Sequence, residues 1–554
     1  MAIEHVLQSL SYLHLGAIAG VAITGYTLYG IIWRLYFSPI AHIPGPRLAA
    51  ITWWYEFYYD IILSGQYTFK ILELHKQYGP IIRINPDEVH IGDPDFFPQL
   101  YPASNKRRER WRFWTKQFGA DGSGLSTIDH DLHRIRRAAI SPFFSQRSVR
   151  DLQPVIEERV DTLLARFHEH GKASPEIPLD MFYPLSAFTN DVINEYSFAR
   201  CDHLTEKPDY GRSVTDYLLT GTHYGKWIQH IELILKFINF LPDSISSTLV
   251  PGWNEFLKAK RDILDQISSI KQTENTPKWQ LDVSHPTIFH DLLSSEILTP
   301  QDKAVSRLAQ EGQIVVQAGT LTTSWALTIA IFFLLEQKPL LAKLRRELCT
   351  AIPDPNAVTP LATLEQLPYL RAVIKEAFRH SIGTSGRLAR VCPDETLTYI
   401  DKSVENKAPK LYHIPPNVPI SMTTYKTTTD ESIFPDPFAF KPERWLQGDS
   451  EHQARLDGYL TVFGGGGRSC LGQALSYAEL TLALAKMFRV WGAAEDDDDE
   501  NSRGDGDDSQ PERPSQTMRI AEGTTAKDTR MAEDWFIPIP WRGSKGVRVY
   551  FKSN

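Results

Sequence analysis

A glycine-rich loop that carries a cysteine is the segment of the 554-residue sequence with the most evident chemistry. Residues 463–472 read Phe-Gly-Gly-Gly-Gly-Arg-Ser-Cys-Leu-Gly, and a helical pattern follows them. Consecutive glycines let a backbone approach another group closely. Amide dipoles at a helix N-terminus favour the thiolate form of a cysteine. A thiolate is a good soft ligand for iron, so Cys470 is a candidate iron ligand.

The loop alone leaves several interpretations open. A phosphate-binding loop of the Walker type needs Gly-Lys-Ser/Thr, which is missing here. A cysteine nucleophile needs a supporting histidine, and none stands near Cys470 in the sequence. The two that remain are a haem-thiolate site and a buried thiol behind a flexible turn.

A second set of residues pairs charges upstream of this loop. Glu376 and Arg379 are three residues apart, so they share a helix face and can form an ion pair. Arg444 follows in the hexapeptide Phe-Lys-Pro-Glu-Arg-Trp, residues 440–445. On their own, these residues are equally compatible with a surface ion pair that contributes little.

A long apolar helix is predicted between these motifs and the N-terminal half. It starts with Thr299-Pro300-Gln301-Asp302, which combines a capping threonine, a proline and an early acid. The pattern predicts a helix over 300–337, roughly 57 Å long at 1.5 Å per residue. Its middle reads Ala-Gly-Thr-Leu-Thr-Thr, residues 318–323.

Together these motifs resemble the cytochrome P450 superfamily of haem-thiolate monooxygenases. The loop fits the family signature F-x-x-G-x-R-x-C-x-G at every fixed position. Those positions are filled by Phe463, Gly466, Arg468, Cys470 and Gly472. The resemblance implies that Cys470 is the axial ligand of haem b, that Arg468 pairs with a haem propionate and that Phe463 packs against the thiolate loop.

The long helix resembles the family's oxygen-binding helix, A-G-x-[DE]-T-T. The resemblance implies that Ala318 and Gly319 leave room over the haem. It makes Thr322 the hydroxyl that steadies iron-bound oxygen and relays protons, with Thr323 as a second catalytic candidate. The alternative is that these threonines only bond to their own helix carbonyls. Leu321 stands where the family has an acid, and on the motif alone Leu321→Asp is expected to do little harm.

The resemblance also implies supporting roles. It predicts a buried structural triad of Glu376, Arg379 and Arg444, because Arg444 can offer a forked donor to a carboxylate.

Further residues are expected around the haem propionates. His133 and Arg137 fit the family's helix with an aromatic residue and an arginine four apart, and Arg390 fits the arginine that follows the E-x-x-R helix. The neighbouring Arg134 and Arg136 are expected to face solvent, where they could meet an acidic reductase.

At finer grain the N-terminal half resembles fungal enzymes of the trichodiene-oxygenase type. The stretches that carry this likeness are residues 54–60, 78–86 and 141–145. It implies a role in secondary metabolism, and the apolar pocket expected from the walls given below favours a terpenoid or polyketide-like substrate. Electrons are expected from a separate NADPH-dependent flavoprotein reductase, since the chain has no Rossmann fingerprint. The expected pocket walls are 111–118, part of 217–240, 315–322, 382–385 and 535–537.

The amino-acid composition limits the classes of protein to which the chain can belong. A hydrophobic fraction of 42% and a charged fraction of 23% are typical of a globular protein. The net charge of −8 comes from residues 495–508, which hold nine acids and one base, so no basic surface for nucleic acid is expected. Four cysteines are too few for a disulfide framework. Helical patterns dominate and β-like runs are short, which predicts a mainly α fold with small β-sheets.

The N-terminus predicts a single membrane anchor. Residues 6–33 lack any charged side chain, and aromatic residues crowd one end of the run. A bilayer core needs about 20 apolar residues as a helix, whereas the apolar region of a cleaved signal peptide has about 7–15. We expect an anchor over 1–43 with its span at about 10–36, a proline hinge at 44–46, and a domain over 44–554 interrupted by a disordered acidic insertion at about 494–513.

The sequence therefore predicts a monooxygenase held in the endoplasmic reticulum membrane with its catalytic domain in the cytoplasm, the side that positive flanking charges favour. Its reaction is expected to be oxidation of an apolar secondary metabolite. A haem-thiolate isomerase or dehydratase that needs no reductase is the alternative, which Leu321 keeps open. A haem-binding protein without catalysis is a second alternative.

Overall fold

The computed structural model of the protein describes residues 2–103, 106–250, 252–273, 285–402, 408–494, 514 and 516–553. The chain divides into two compact units. The smaller unit comprises Met1–Leu100 with Ala389–Met422, and the larger unit comprises Tyr101–Leu388 with Thr423–Asn554. Helices dominate and the sheets are small, which confirms the predicted fold class.

The smaller unit combines the N-terminal helix with short strands. Its α-helices are Ala2–Ile32, Arg47–Ile51, Trp54–Phe57, Tyr67–Tyr78 and Phe97–Leu100. Its strands are Ile81–Arg83, Val89–Ile91, Arg390–Val391, Leu397–Asp401, Lys410–Ile414 and Pro419–Ser421. The first two strands are antiparallel, and Leu397–Asp401 pairs with Lys410–Ile414 as a hairpin. Side chains along the first strand are all buried, so the sheet contributes to a core.

The N-terminal helix continues through a wider turn at Trp33–Phe37. The stretch His14–Phe37 is long and apolar enough to cross a membrane, and its side chains are not buried in the protein. The predicted proline hinge at 44–46 is held by the first strand, because the Arg83 amide donates to Pro44 O at 2.7 Å. A Cβ added to Gly45 would lie 2.3 Å from the Arg83 carbonyl oxygen, so only glycine permits this close approach.

The larger unit is built around helices from both halves of the chain. Its α-helices of ten residues or more are His130–Ile140, Gln153–Ala173, Phe182–Phe198, Arg212–His230, Trp253–Thr273, Val305–Glu336, Lys338–Ala351, Pro368–Ser381, Ser450–Tyr459 and Gln473–Val490. Shorter ones are Arg112–Thr115, Gln146–Asp151, Glu232–Phe240, Asp243–Leu249, Ile288–Ser294, Leu361–Leu364 and Thr424–Thr428.

Two small sheets complete the larger unit. In one, Arg548–Ser553 lies between Leu179–Asp180 and Gln516–Ile520, and Trp491–Ala493 pairs in parallel with the far edge of Gln516–Ile520. The other is the hairpin Glu533–Trp535 with Ile537–Ile539. Phe536 sits at its tip with a φ of 74°, a backbone conformation that a bulky side chain seldom adopts.

The long helix runs from Val305 to Glu336 and is mostly buried, as a core helix is. The predicted start at residue 300 is wrong. Thr299 and Asp302 bond each other instead, and the Asp302 carboxylate accepts from Arg136 Nη2 at 2.9 Å. This ion pair fixes the capping residues in a separate turn, and it also withdraws Arg136 from the solvent-facing role expected for it.

The acidic insertion lies outside the described residues. Its flanks are described, and they are joined: the Ala494 amide donates to Met518 O at 2.9 Å, next to the parallel pairing of Trp491–Ala493 with Gln516–Ile520. The segment therefore leaves and re-enters the larger unit at one sheet.

Candidate haem site

The glycine loop curls so that Cys470 is presented just before a helix. The Cys470 amide donates to Phe463 O at 2.7 Å, which closes the loop, and helix Gln473–Val490 follows. Gly466 has a φ of 66°, and a Cβ there would lie 2.0 Å from Pro102 O. Phe463 packs edge-on against Phe378 with ring centroids 4.8 Å apart. Gly466 is thus required both by its positive φ and by the lack of space for a Cβ.

The thiol of Cys470 faces an internal space. Burial raises its pKa, while a hydrogen bond from the Gly472 amide and the charge of Arg137 act in the opposite direction. Its side chain nevertheless keeps accessible surface. A group that is surrounded by protein atoms and still accessible lines an interior opening. All four cysteines are free thiols, so no disulfide competes for this one.

Two arginines hold the loop from either side. Arg137 donates from Nη1 to Ser469 O at 2.7 Å and from Nη2 to Ser469 Oγ at 3.3 Å. Arg468 donates to backbone carbonyls of the segment before helix His130–Ile140, including Thr127 O at 2.6 Å and Ile128 O at 2.8 Å. Burial lowers the pKa of Arg137, and the neighbouring Cys470 works against that shift. Hydrogen bonds therefore fix both guanidinium groups, and that of Arg137 lies close enough to Cys470 for their charges to interact.

Two further predicted propionate partners are buried. His133 is 8% exposed on the same helix as Arg137. Arg390 is 2% exposed, lies in the smaller unit and donates to Ala389 O at 3.0 Å.

The predicted triad is brought together completely. The carboxylate of Glu376 accepts from Arg379 Nη2 at 2.8 Å and Nε at 3.0 Å, and from Arg444 Nε at 3.1 Å. Trp445 Nε1 at 2.8 Å and the Lys441 amide at 2.9 Å add two donors. Burial alone would raise the pKa of Glu376, but the charge of Arg379 and hydrogen bonds from His380 and Arg379 hold that pKa far below its usual range.

Residues in the central motif of the long helix contact several different elements of the fold. A Cβ on Gly319 would lie 2.9 Å from Ile193, so this glycine serves close packing against helix Phe182–Phe198. This differs from the expected role of leaving room over the haem. Ala318 is exposed although the helix is mostly buried, and it lines an opening together with Thr322, one turn later.

The two threonines of the motif have separate environments. Thr322 Oγ1 donates to its own helix carbonyl, Ala318 O, at 2.8 Å, the alternative that its sequence left open. A hydroxyl that donates in this way still has lone pairs with which to accept a hydrogen bond. Thr323 is 3% exposed, and its Oγ1 lies 3.0 Å from Ser476 Oγ on the helix that follows Cys470. Thr323 therefore joins the long helix to the thiolate helix.

Glu479 is a buried acid that the sequence analysis missed. It is 1% exposed, and its Oε1 has no hydrogen-bond partner among the described residues. Burial raises the pKa of Glu479 well above the usual range, and a hydrogen bond with Thr323 only partly offsets this. The one signal available was an acid within the apolar run Ser-Tyr-Ala-Glu-Leu, residues 476–480.

Leu321 is buried in an apolar cluster. It is 3% exposed and packs with Leu218 and Ile537, while Phe536 lies beside that cluster. A leucine side chain cannot transfer protons. Because this position is enclosed by hydrocarbon, a carboxylate placed there would also lower the stability of the fold.

The predicted pocket walls within the larger unit do converge. Phe536 packs edge-on against Phe118 at 5.0 Å and Trp114 at 6.1 Å between ring centroids. Ser385 fixes the hairpin tip, because its amide donates to Phe536 O at 2.9 Å and its hydroxyl to Asp534 Oδ1 at 2.7 Å. Aromatic and aliphatic side chains thus form one side of the opening.

These residues fit a haem. The Cys470 thiol and the stripe of Ala318 and Thr322 are both accessible, and the helix after Cys470 contacts the long helix through Ser476 and Thr323. Cationic donors beside the thiol suit the two carboxylates of a haem. The donor set is therefore that of an iron porphyrin held by a thiolate.

The chain belongs to the cytochrome P450 family, whose model matches residues 44–508. It is 44% identical to the cytochrome P450 monooxygenase tpcC of Cochliobolus heterostrophus, over 95% of this chain and 94% of that protein. It is 34% identical to the N-acetyltryptophan 6-hydroxylase ivoC of Emericella nidulans over 96% of each chain. The cytochrome P450 monooxygenase TRI4 of Fusarium sporotrichioides is 34% identical over 88% of this chain and 90% of its own.

The family settles the class of chemistry. The protein is a cytochrome P450 monooxygenase, and its cofactor is haem held by a cysteine thiolate. Enzymes of this family generally take electrons from a reductase and act on hydrophobic substrates.

Proposed function

We propose that this chain is a membrane-anchored monooxygenase that hydroxylates or oxidises an apolar secondary metabolite in a fungal biosynthetic pathway. The observation that carries this is that the Cys470 thiol and the stripe of Ala318 and Thr322 stay accessible next to buried helices, which supports one interior opening bordered by both. A relative that is 34% identical is named a hydroxylase of N-acetyltryptophan, which supports hydroxylation of a ring-containing substrate.

Within this proposal Cys470 is the haem ligand. Bound haem supplies oxygen activation, and the thiolate donates electron density that favours O–O cleavage. Arg137, Arg468 and His133 hold the propionates, and the triad around Glu376 fixes the scaffold behind the cysteine. Ala318 leaves space beside the substrate, and the aromatic wall at Phe536 excludes water.

Thr322 is proposed as the proton-handling residue. Its Oγ1 is the hydroxyl nearest the opening on the long helix, and its donation to Ala318 O leaves it able to accept a hydrogen bond and to pass a proton from water. Thr323 is assigned a positioning role, because its hydroxyl is directed at Ser476.

We propose the endoplasmic reticulum membrane as the location, with the catalytic domain cytoplasmic and an NADPH-dependent flavoprotein reductase as partner. The apolar helix His14–Phe37 supports an anchor. In the larger unit, Leu233, Phe237 and Phe240 are 71%, 60% and 86% exposed, an apolar surface suited to lipid.

The test of the haem assignment is Cys470→Ala. The variant should lose the red-shifted absorption of the reduced carbon monoxide complex. Substitutions of Cys201, Cys349 and Cys392 are the matched controls and should keep that band. A Cys470→Ala protein that retains the band contradicts the assignment.

The test of the reaction class is Thr322→Ala. Substrate binding and haem reduction should persist, whereas product should fall about 10²–10⁴-fold while NADPH is still consumed, since that is the range a positioned proton donor contributes. Product formation without NADPH and reductase would favour the isomerase or dehydratase instead. That alternative is kept in view by the apolar surroundings of Leu321.

A further inference from the structure

A carboxamide beside the open stripe has no hydrogen-bond partner among the residues that the structure describes. Gln317 immediately precedes Ala318 and is half-buried. Among the described residues, neither its side-chain oxygen nor its nitrogen takes part in a hydrogen bond. Its neighbour across the opening is Gly221 of helix Arg212–His230, where an added Cβ would lie 3.8 Å from Gln317 Nε2. Because that neighbour has no side chain, the amide is not covered.

The helix fixes the direction in which this amide points. Residues four apart lie on the same face of a helix, so Gln317 and Leu321 form one stripe. Leu321 packs against Leu218 and Ile537, which places this stripe along the side of the opening that faces helix Arg212–His230. Gln317 lies five residues before Thr322, about 8 Å along the helix axis. The amide therefore lines the opening at a distance from the proposed reacting end.

We propose that Gln317 is a specificity-determining residue that hydrogen-bonds an oxygen function of the substrate. The proposal rests on the proposed function and names its substrate class: an apolar skeleton that carries a hydroxyl or carbonyl group on the order of 8 Å from the carbon that is oxidised. A carboxamide both donates and accepts, so it can recognise either group. An unsubstituted terpene hydrocarbon leaves the amide unpaired, which favours an oxygenated, polyketide-like compound.

The experiment compares two probes that differ by one hydroxyl. Naphthalene and 2-naphthol are titrated into the haem-loaded full chain, and binding is read from the shift of the Soret absorption band. The ratio of the two dissociation constants removes effects common to both probes. One net hydrogen bond changes a dissociation constant by roughly 2- to 12-fold. Gln317→Met keeps the length of the side chain, so it should reduce the preference for 2-naphthol by that factor and leave naphthalene binding unchanged.

Gln313 offers a matched control. It is also half-buried and without a hydrogen bond among the described residues, and it lies one turn further from Thr322, about 6 Å along the axis. Gln313→Met should leave the ratio at the wild-type value. Gln317→Leu repeats the test with a second shape if the methionine variant fails to fold.

Three results overturn the inference: an unchanged ratio in the Gln317 variants, an equal change in Gln313→Met, or a wild-type protein that binds neither probe. Each of these is read in protein that retains the carbon monoxide band, so it removes the role of Gln317 and leaves the haem assignment intact. Failure of the proposed function shows separately, as a band that survives Cys470→Ala.

Discussion

Leu321→Asp is the substitution for which motif and structure disagree. The family pattern has an acid at this position, so the motif alone indicates little harm. The structure instead encloses Leu321, 3% exposed, between Leu218 and Ile537. Removing a buried leucine side chain costs roughly 2–5 kcal/mol. A carboxyl group buried without a hydrogen-bond partner adds about 1–3 kcal/mol. We expect Leu321→Asp to lose roughly 3–8 kcal/mol of folding free energy.

The assay is urea unfolding of the haem-loaded protein, followed by haem absorption, with Leu321→Ala as the control that has the cavity but no carboxyl. Burial raises the pKa of the new aspartate, so the folded state keeps a proton that the unfolded state releases above about pH 4. The stability of the aspartate variant relative to the alanine variant should therefore fall as pH rises, by at most about 1.4 kcal/mol per pH unit.

An aspartate variant as stable as wild type at every pH would refute the placement of Leu321. The same conclusion would follow if the aspartate and alanine variants differed by a constant amount from pH 5.5 to pH 8, because an enclosed carboxyl must titrate differently in the folded and unfolded states.

Three further predictions concern two buried glutamates and the acidic segment. Glu376→Gln should lower the free energy of unfolding by about 3–5 kcal/mol in urea titrations, because Arg379 and Arg444 keep their buried charges and lose the carboxylate; an unchanged midpoint contradicts the triad. The raised pKa of Glu479 makes the wild-type protein bind a proton on folding. The free energy of unfolding of Glu479→Gln should therefore increase relative to wild type as pH rises from 5.5 to 7.5, by up to about 1.4 kcal/mol per pH unit. Parallel pH profiles of stability for the two proteins would contradict a neutral Glu479. Replacing residues 495–513 with a short Gly-Ser linker should leave the haem spectrum and turnover nearly unchanged, since loop closure depends weakly on length; loss of folded protein would show that the segment docks.

The sequence was sufficient where function depends on local order. The loop around Cys470 could be predicted because its glycines, arginine and cysteine are contiguous, and their conformation follows from the closing bond between the Cys470 amide and Phe463 O. The ion pair of Glu376 and Arg379 could be predicted because helix geometry places residues three apart together. Arg444 needed the family resemblance, since it lies 68 positions after Glu376 in the sequence.

The sequence was insufficient where partners are distant. The predicted helix start failed because Asp302 pairs with Arg136, which lies 166 residues earlier. Glu479 was missed because an acid within an apolar helical run is only a weak signal of a buried, neutral carboxyl group. The residue that contacts the Glu479 carboxyl group is Thr323, which lies on a different helix.

In the central motif of the long helix, the direction of each side chain matters as much as its chemical type. Gly319 packs against Ile193, Leu321 packs with Leu218 and Ile537, and Thr323 contacts Ser476. What remains unpacked is the stripe of Ala318 and Thr322. Thr323 fixes this orientation, because its contact with Ser476 links the long helix to the helix that begins after Cys470. A glycine and a leucine that touch no reactant therefore decide which hydroxyl faces the opening, and the rotation of the helix matters as much to the chemistry as the identity of Thr322.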